Sequence, residues 1–257
     1  MGEFKEASVL FSGGSDSTLA AAWCAERFDK VHLLNFHHSG MHGVGKSAVN
    51  VERLRKKYGE GKFVFKVLDI EEPFHTLYYG DYYSDLGRYG TFLAAATCNI
   101  CQLAMHVETV IYDVQNGVGF ACDGYKREKE HVYIVMSQKG ISLLKDFYAK
   151  YGIQYENPVY DVLRTDWVLY DLGITPKKNV KFPYERLSYE AQHSCFHGIL
   201  TNAYILGYHY PLHLDKSNQW LKYFKKKLEL AEDYIKSRLK GGNPLRICEI
   251  ADHWELK

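Results

Sequence analysis

Short apolar runs alternate with amphipathic ones over the first two thirds of the chain. Val9-Leu10-Phe11 is an apolar run of the length of a buried strand, and the Ala-rich run Leu19 to Arg27 reads as a helix. Val31 to His37 predicts a second strand. Ser47 to Tyr58 predicts a helix with Val51, Leu54 and Tyr58 on one face, and Phe63 to Ile70 a third strand. Cys98-Asn-Ile-Cys101 opens a helix that runs to about Asn116. Gly117 to Cys122 reads as strand four, Asp123 to Glu128 as a turn, and Val132 to Met136 as strand five. Such alternation predicts an α/β domain with a parallel sheet over residues 1–173. Residues 76–92 are rich in Tyr and Gly and fit neither period. They read as a packed irregular segment, a subunit contact that leaves a homodimer open, or a substrate lid.

The pattern changes from about Gly140. Leu143, Phe147 and Tyr151 form one helical stripe, and Asn157 to Asp166 leads into a helix ending near Gly173. Residues 174–183, with two prolines and three lysines, read as a linker into a mainly helical region over 174–257. There Trp220, Phe224, Leu228, Ala231, Ile235 and Leu239 fall on one face of a helix. The opposite face carries Lys222, Lys225, Lys226, Lys236 and Arg238, and reads as a solvated face or a site for RNA phosphates.

Bulk properties narrow the class. A chain of 257 residues with 46% apolar residues has material for one large domain or two small ones. The net charge of +1 excludes a strong overall nucleic-acid field but not a local basic patch. No apolar run reaches membrane-spanning length and no signal-peptide pattern opens the chain, so a cytoplasmic location without membrane partners is expected. In that compartment the six cysteines point to metal ligands, reactive thiols or core residues rather than disulfides.

The junction after the first strand carries the chemistry. Ser12-Gly-Gly-Ser-Asp-Ser17, followed by Thr18, joins that strand to a helix N-terminus. Unpaired backbone N–H groups and the positive end of the helix dipole face an anion there. Gly13 and Gly14 admit positive φ and close approach of a phosphate, while Ser12, Ser15, Ser17 and Thr18 add hydroxyls. Asp16 beside a phosphate calls for a cation between them, which reads as Mg²⁺. The motif and its context resemble the PP-loop of the ATP pyrophosphatases. The resemblance implies a Rossmann-like sheet, ATP held by Phe11 to Thr18, and cleavage between the α- and β-phosphates. It also implies that Phe36, His37 and His38, at the end of strand two, border the nucleotide, and that Arg164 is the basic residue approaching ATP. A rival lies in Gly40 to Ser47, which satisfies the Walker A pattern with Lys46 and reads either as a nucleotide switch or as a glycine-rich connector.

In a parallel sheet the strand-to-helix loops share the carboxyl edge, where ligands bind. Asp16, Cys98, Cys101, Cys122 and Asp123 all fall on that edge. Asp16, Cys122, Asp123 and Arg164 are the candidate catalytic residues. Cys122 reads as a buried strand end or a persulfide carrier; Cys24 and Cys248, with apolar neighbours, read as core. A lone Cys-x-x-Cys serves equally as a redox pair, half a zinc site or part of an iron–sulfur site. With Cys195 as a distant third cysteine it resembles the PP-loop tRNA thiolases, in which such cysteines hold a [4Fe–4S] cluster. The resemblance thus implies Cys98, Cys101 and Cys195 as cluster ligands. Zinc, completed by His193 or His197, is the alternative. His-Ser-Cys195-Phe also resembles 7-cyano-7-deazaguanine synthases, although their following zinc cysteines are missing. Together the resemblances cover roughly residues 6–200. They imply an ATP-dependent sulfurtransferase acting on a tRNA base, with the sulfur donor unassigned. The alternative substrate is a small molecule undergoing amide or nitrile formation or sulfur insertion.

Overall fold

The computed structural model describes residues 4–89, 92–130, 133–176, 191, 194–204, 217–242, 245 and 247. Its centre is a parallel sheet of β1 (Glu6–Leu10), β2 (Lys30–His37), β4 (Phe63–Asp69), β5 (Phe120–Cys122) and β6 (Gln154–Glu156), in the order β4-β2-β1-β5-β6. β1 and β2, at the middle of the sheet, are buried along almost their whole length because both faces are covered. On β1, Ala7 and Val9 face one core and Leu10 the other. The first core packs α1 (Ser15–Arg27), α2 (Ala48–Tyr58) and α7 (Thr165–Asp171) through Leu19, Ala20, Val51, Leu54 and Leu169. The second packs α5 (Phe92–Asn116), α6 (Gln138–Ala149) and the last described helix, α9 (Ser217–Lys240). In it Val107, Leu144, Trp220 and Phe224 are all 1% exposed or less.

Three expectations are corrected. Ile134–Met136 is a 3₁₀ turn, not a strand, because its three apolar side chains point into the core just before Ser137 caps α6 by accepting from the Gly140 amide. The fifth strand is Gln154–Glu156 instead. The aromatic segment is helical: α3 (Glu71–Tyr79) and α4 (Tyr82–Tyr89) set Phe74 and Tyr78 one turn apart with parallel rings 5.7 Å between centroids. The cysteine-bearing helix starts at Phe92, so Cys98 lies well inside it.

A small antiparallel ribbon lies beyond the carboxyl edge. β3 (Met41–His42) pairs with β7 (Ser194–Cys195), which leads directly into α8 (Phe196–Tyr204). This ribbon brings a cysteine from far along the chain to the end of β2. The basic face of α9 is not all open. Lys226 lies 2.8 Å from both Asp81 and Asp85, and Arg238 is buried beside Glu72 and Glu108. Among the described residues no helix is long and apolar enough to cross a membrane.

Candidate active site

The loop after β1 is a tight turn held from several directions. The Phe11 amide still pairs with the Leu34 carbonyl at 2.7 Å, after which Gly13 turns the chain at φ +80°. Gly14 is ordinary extended backbone, so positive φ is confined to Gly13. Ser12 Oγ accepts from the Gly14 amide and meets Ser17 Oγ at 3.3 Å. Thr18 donates to the Gly14 carbonyl, tying the first turn of α1 to the loop. Asn50 of α2 donates to the Gly13 carbonyl at 2.7 Å, and Thr165 of α7 donates to Asp16 Oδ1 at 2.6 Å. Hydroxyls, loop amides and a held carboxylate thus surround one helix N-terminus, the arrangement suited to a polyphosphate and its cation.

The second glycine loop supports the first. Ser47 is buried; it donates to the Val44 carbonyl and accepts from Asn35 at 2.5 Å. A Cβ on Gly13 would lie 2.7 Å from Ser47 Cα. Lys46 is exposed. The Walker-like segment is therefore packed under the PP-loop, with its serine hydroxyl engaged internally.

The other expected residues divide. Phe11 and Phe36 bury their side chains in opposite cores and leave only backbone to the edge. Cys122 is fully buried with its sulfur 3.1 Å from Cys24, turned away from the edge toward α1. Asp123 lies beside the loop, since a Cβ on the next residue, Gly124, would be 2.5 Å from the Ser17 amide nitrogen. Burial pushes the Asp123 carboxyl up to about 6, against hydrogen bonds from Tyr155, the Tyr125 amide and Asn157 that favour the ionised form. Arg164 stacks on Trp167 and its side chain is 45% exposed; its neighbour Thr165 is what reaches the loop. Asn50 and Thr165 carry no signal in the sequence, because polar residues on a helix look like surface positions, and Asn35 is hidden in a buried strand.

Asp123 has a consequence for stability. Its folded value lies above the unfolded 3.8, so it binds a proton more tightly when folded, and the stability this confers is lost as pH rises from about 4 through about 6. The stability deficit of Asp123→Asn relative to the parent should shrink across that window. A deficit independent of pH in denaturant titrations would contradict the assignment.

Three thiols meet beyond the loop. Cys98 and Cys101 lie one turn apart on α5, and the charge on Cys195 is felt at both. Burial pushes Cys98 up to about 11, with a hydrogen bond to Thr201 opposing and Cys195 adding, and pushes Cys101 well above its usual range, with Cys98 and Cys195 adding. Two thiols one turn apart on a helix, with a third near both, suit a soft metal group that replaces their protons. Cys195 also faces two imidazoles. His38 Nε2 is 3.9 Å from its sulfur, and the His197 ring lies 5.8 Å from that of His38. His38 is therefore turned toward the ribbon; burial pushes it down to about 4. The Gly40 amide donates to His38 Nδ1, which leaves the proton of the neutral ring on Nε2. A metal at Nε2 would move that proton to Nδ1, against the Gly40 amide, and leave that donor unsatisfied at a cost of about 1–3 kcal/mol. His193 and Cys248 lie outside the described residues.

Cys195 is tied to the loop through the chain. A Cβ on Gly13 would lie 2.1 Å from the Ala191 carbonyl oxygen. Ala191 is four residues before Cys195, and four residues of chain span at most about 14 Å.

Comparison with known proteins bears on the loop half. Residues 6–71 match the family model described as QueC: Queuosine biosynthesis protein QueC. The matched residues run from β1 through the glycine turn to the start of α3 and are similar to a PP-loop module. Over 46 residues the chain is 41% identical to 7-cyano-7-deazaguanine synthase of Caulobacter vibrioides, covering 18% of this chain and 19% of that protein. Over 36 residues it is 50% identical to the synthase of the same name from Helicobacter acinonychis, covering 14% and 16%. The matched stretches thus span less than a fifth of these relatives. Among solved structures, the chain overlaps the U34-tRNA thiolase NcsA from Methanococcus maripaludis with its [4Fe-4S] cluster at TM-score 0.45 and 14% identity, covering 89% of this chain and 74% of that one. It overlaps a 4-thiouridine synthetase in an RNA complex with bound ATP at TM-score 0.48 and 11% identity, covering 88% and 53%. The family match covers the glycine turn at Gly13 and the first three strands in chain order of the parallel sheet.

Proposed function

We propose that this protein is an AMP-forming sulfurtransferase. It activates a carbonyl oxygen of its acceptor with ATP and replaces that oxygen with sulfur. The observation that carries the reading is the contact of Ala191 with Gly13, which keeps Cys195 within one short span of the phosphate loop. In this reading the amides and hydroxyls from Ser12 to Thr18 bind the β- and γ-phosphates. Asp16, oriented by Thr165, holds the Mg²⁺ that screens them. The loop favours the pyrophosphate leaving group by positioning and charge rather than by covalent chemistry. Cys98, Cys101 and Cys195 would hold a [4Fe–4S] cluster, which when bound supplies the sulfur. The acceptor proposed is a tRNA base. A second reading, activation of a small molecule, is supported by the likeness of residues 6–71 to deazaguanine synthases.

Anaerobic incubation with ATP, sulfide and a tRNA pool, followed by nucleotide analysis and nucleoside mass spectrometry, tests this. AMP, pyrophosphate and a thiolated nucleoside are expected, with loss of all three in Asp16→Ala and only a few-fold change in Lys46→Ala. ADP and phosphate as products, with dependence on Lys46, would sink the proposal. AMP without any change in tRNA would shift it to the small-molecule acceptor.

A further inference from the structure

The ribbon brings together a second ligand set that shares one sulfur with the three thiols. His38 follows the last residue of β2, and Cys195 is held over it by the pairing of Met41 with Cys195 and by the Phe196 amide donating to the Gly40 carbonyl at 3.1 Å. His197 opens α8 on the other side. One ligand atom from each of His38, Cys195 and His197 lies within 4.8 Å of the others. A single tetrahedral zinc, with bonds of about 2.3 Å to sulfur and 2.0–2.1 Å to nitrogen, spaces such atoms roughly 3.5 Å apart. The observed 3.9 Å from His38 Nε2 to the Cys195 sulfur is close to that edge. Gly40 lies between the rings: a Cβ there would be 2.4 Å from His197 Nδ1, so only glycine lets both imidazoles close on one point. The donors come from three separate elements, and two nitrogens with one thiolate is a zinc-type set. His38 is buried, Cys195 half-buried and His197 exposed, so the site opens to solvent on one side, where a water would complete the coordination.

We propose that His38, Cys195 and His197 form a mononuclear zinc site whose occupancy withholds Cys195 from an iron–sulfur cluster on Cys98, Cys101 and Cys195. The exclusion rests on the cluster reading above; the zinc site does not. Zinc enters as the dication, Cys195 releases its proton to solvent, and the His38 ring proton moves from Nε2 to Nδ1. No electrons are transferred. Zinc-loaded and cluster-loaded protein are then alternative forms of one chain, the former without a sulfur-delivery centre.

Metal-free full-length protein, prepared anaerobically with a chelator, should bind one zinc per chain, measured by elemental analysis and competition with a chromogenic chelator. His197→Ala, an exposed position that spares the fold, and His38→Ala should each weaken zinc at least 100-fold, whereas Cys98→Ala should keep it. The zinc-loaded parent should fail to gain visible charge-transfer absorption when supplied with iron and sulfide. His197→Ala should gain it in the presence of zinc. Unchanged zinc affinity in His197→Ala, or equal loss in Cys98→Ala, would overturn the site. Zinc and cluster together at full stoichiometry would overturn the exclusion. A zinc-free parent that takes up no cluster would overturn the sulfur-delivery reading and the exclusion with it, and the zinc titrations would still decide the site.

Discussion

Gly13→Ala is expected to reduce AMP formation at least 100-fold, more than any other single-methyl change in the loop. Its φ of +80° already disfavours an L side chain, by about 1–2 kcal/mol. The larger obstacle is space. The added carbon would sit 2.1 Å from the Ala191 carbonyl oxygen and 2.7 Å from Ser47 Cα, and both neighbours are backbone atoms that cannot rotate away. Relief requires the turn to move, which displaces the amides that face the phosphates and breaks the Asn50 bond to the Gly13 carbonyl. Misplacement by about 1 Å is enough for a 100-fold loss in a reaction that depends on positioning. The same displacement pushes Ala191 outward, so the metal content carried through Cys195 should fall in parallel. Gly14→Ala is the control. Its φ of −71° suits any residue, and a loss of less than about tenfold is expected. Pyrophosphate release and metal analysis on both variants check this. Equal losses at the two glycines would show that phosphate approach, not the strained turn, sets the requirement.

That contrast shows what the chain discloses of itself. The strand, glycine turn and helix are legible because each is local: an apolar run, two residues without Cβ, and a polar helix start. Which glycine is strained is not legible, since it depends on Ser47 and Ala191, the latter far along the chain. The carboxyl edge could be read from strand–helix alternation, but not the ribbon of β3 and β7 that carries Cys195 to the end of β2. The buried sulfur of Cys122 could not be read, because alternation gives the edge but not the direction a side chain takes within it. Ile134 to Met136 has strand composition, yet a three-residue apolar run fits a 3₁₀ turn equally well. The two turns of tyrosines escaped for the opposite reason: aromatic residues on several faces hide the helical period, and the helices become evident only when Phe74 and Tyr78 stack. Thr165 and Asn50 have no sequence signal at all. Their roles come from the packing of α7 and α2 against α1.

Asp85→Ala should be the most destabilising change outside the site, and Lys227→Met should be mild. Asp85 is 1% exposed on α4 and receives two lysines of α9: Lys227 Nζ at 2.7 Å and Lys226 Nζ at 2.8 Å. Lys227 is 0% exposed, with the Tyr223 ring 5.3 Å from its ammonium. Removing Asp85 strands that ammonium in the core, where a broken buried pair costs about 3–5 kcal/mol. For a chain of this size that corresponds to a fall in Tm of roughly 6–20 °C. Removing Lys227 is different. Asp85 keeps Lys226, whose side chain is 30% exposed and also meets Asp81 at 2.8 Å, so no charge is left unpaired. Methionine fills most of the lysine stem's volume against Tyr223, and a change of about 1 kcal/mol follows from the lost cation–π contact and ion pair. The asymmetry is the test, because a shared surface network would give two small and similar effects. Thermal unfolding of both variants at constant pH measures it. Matching Tm shifts would mean that Lys227 reaches water and that α4 is not fastened to α9 by a buried charge.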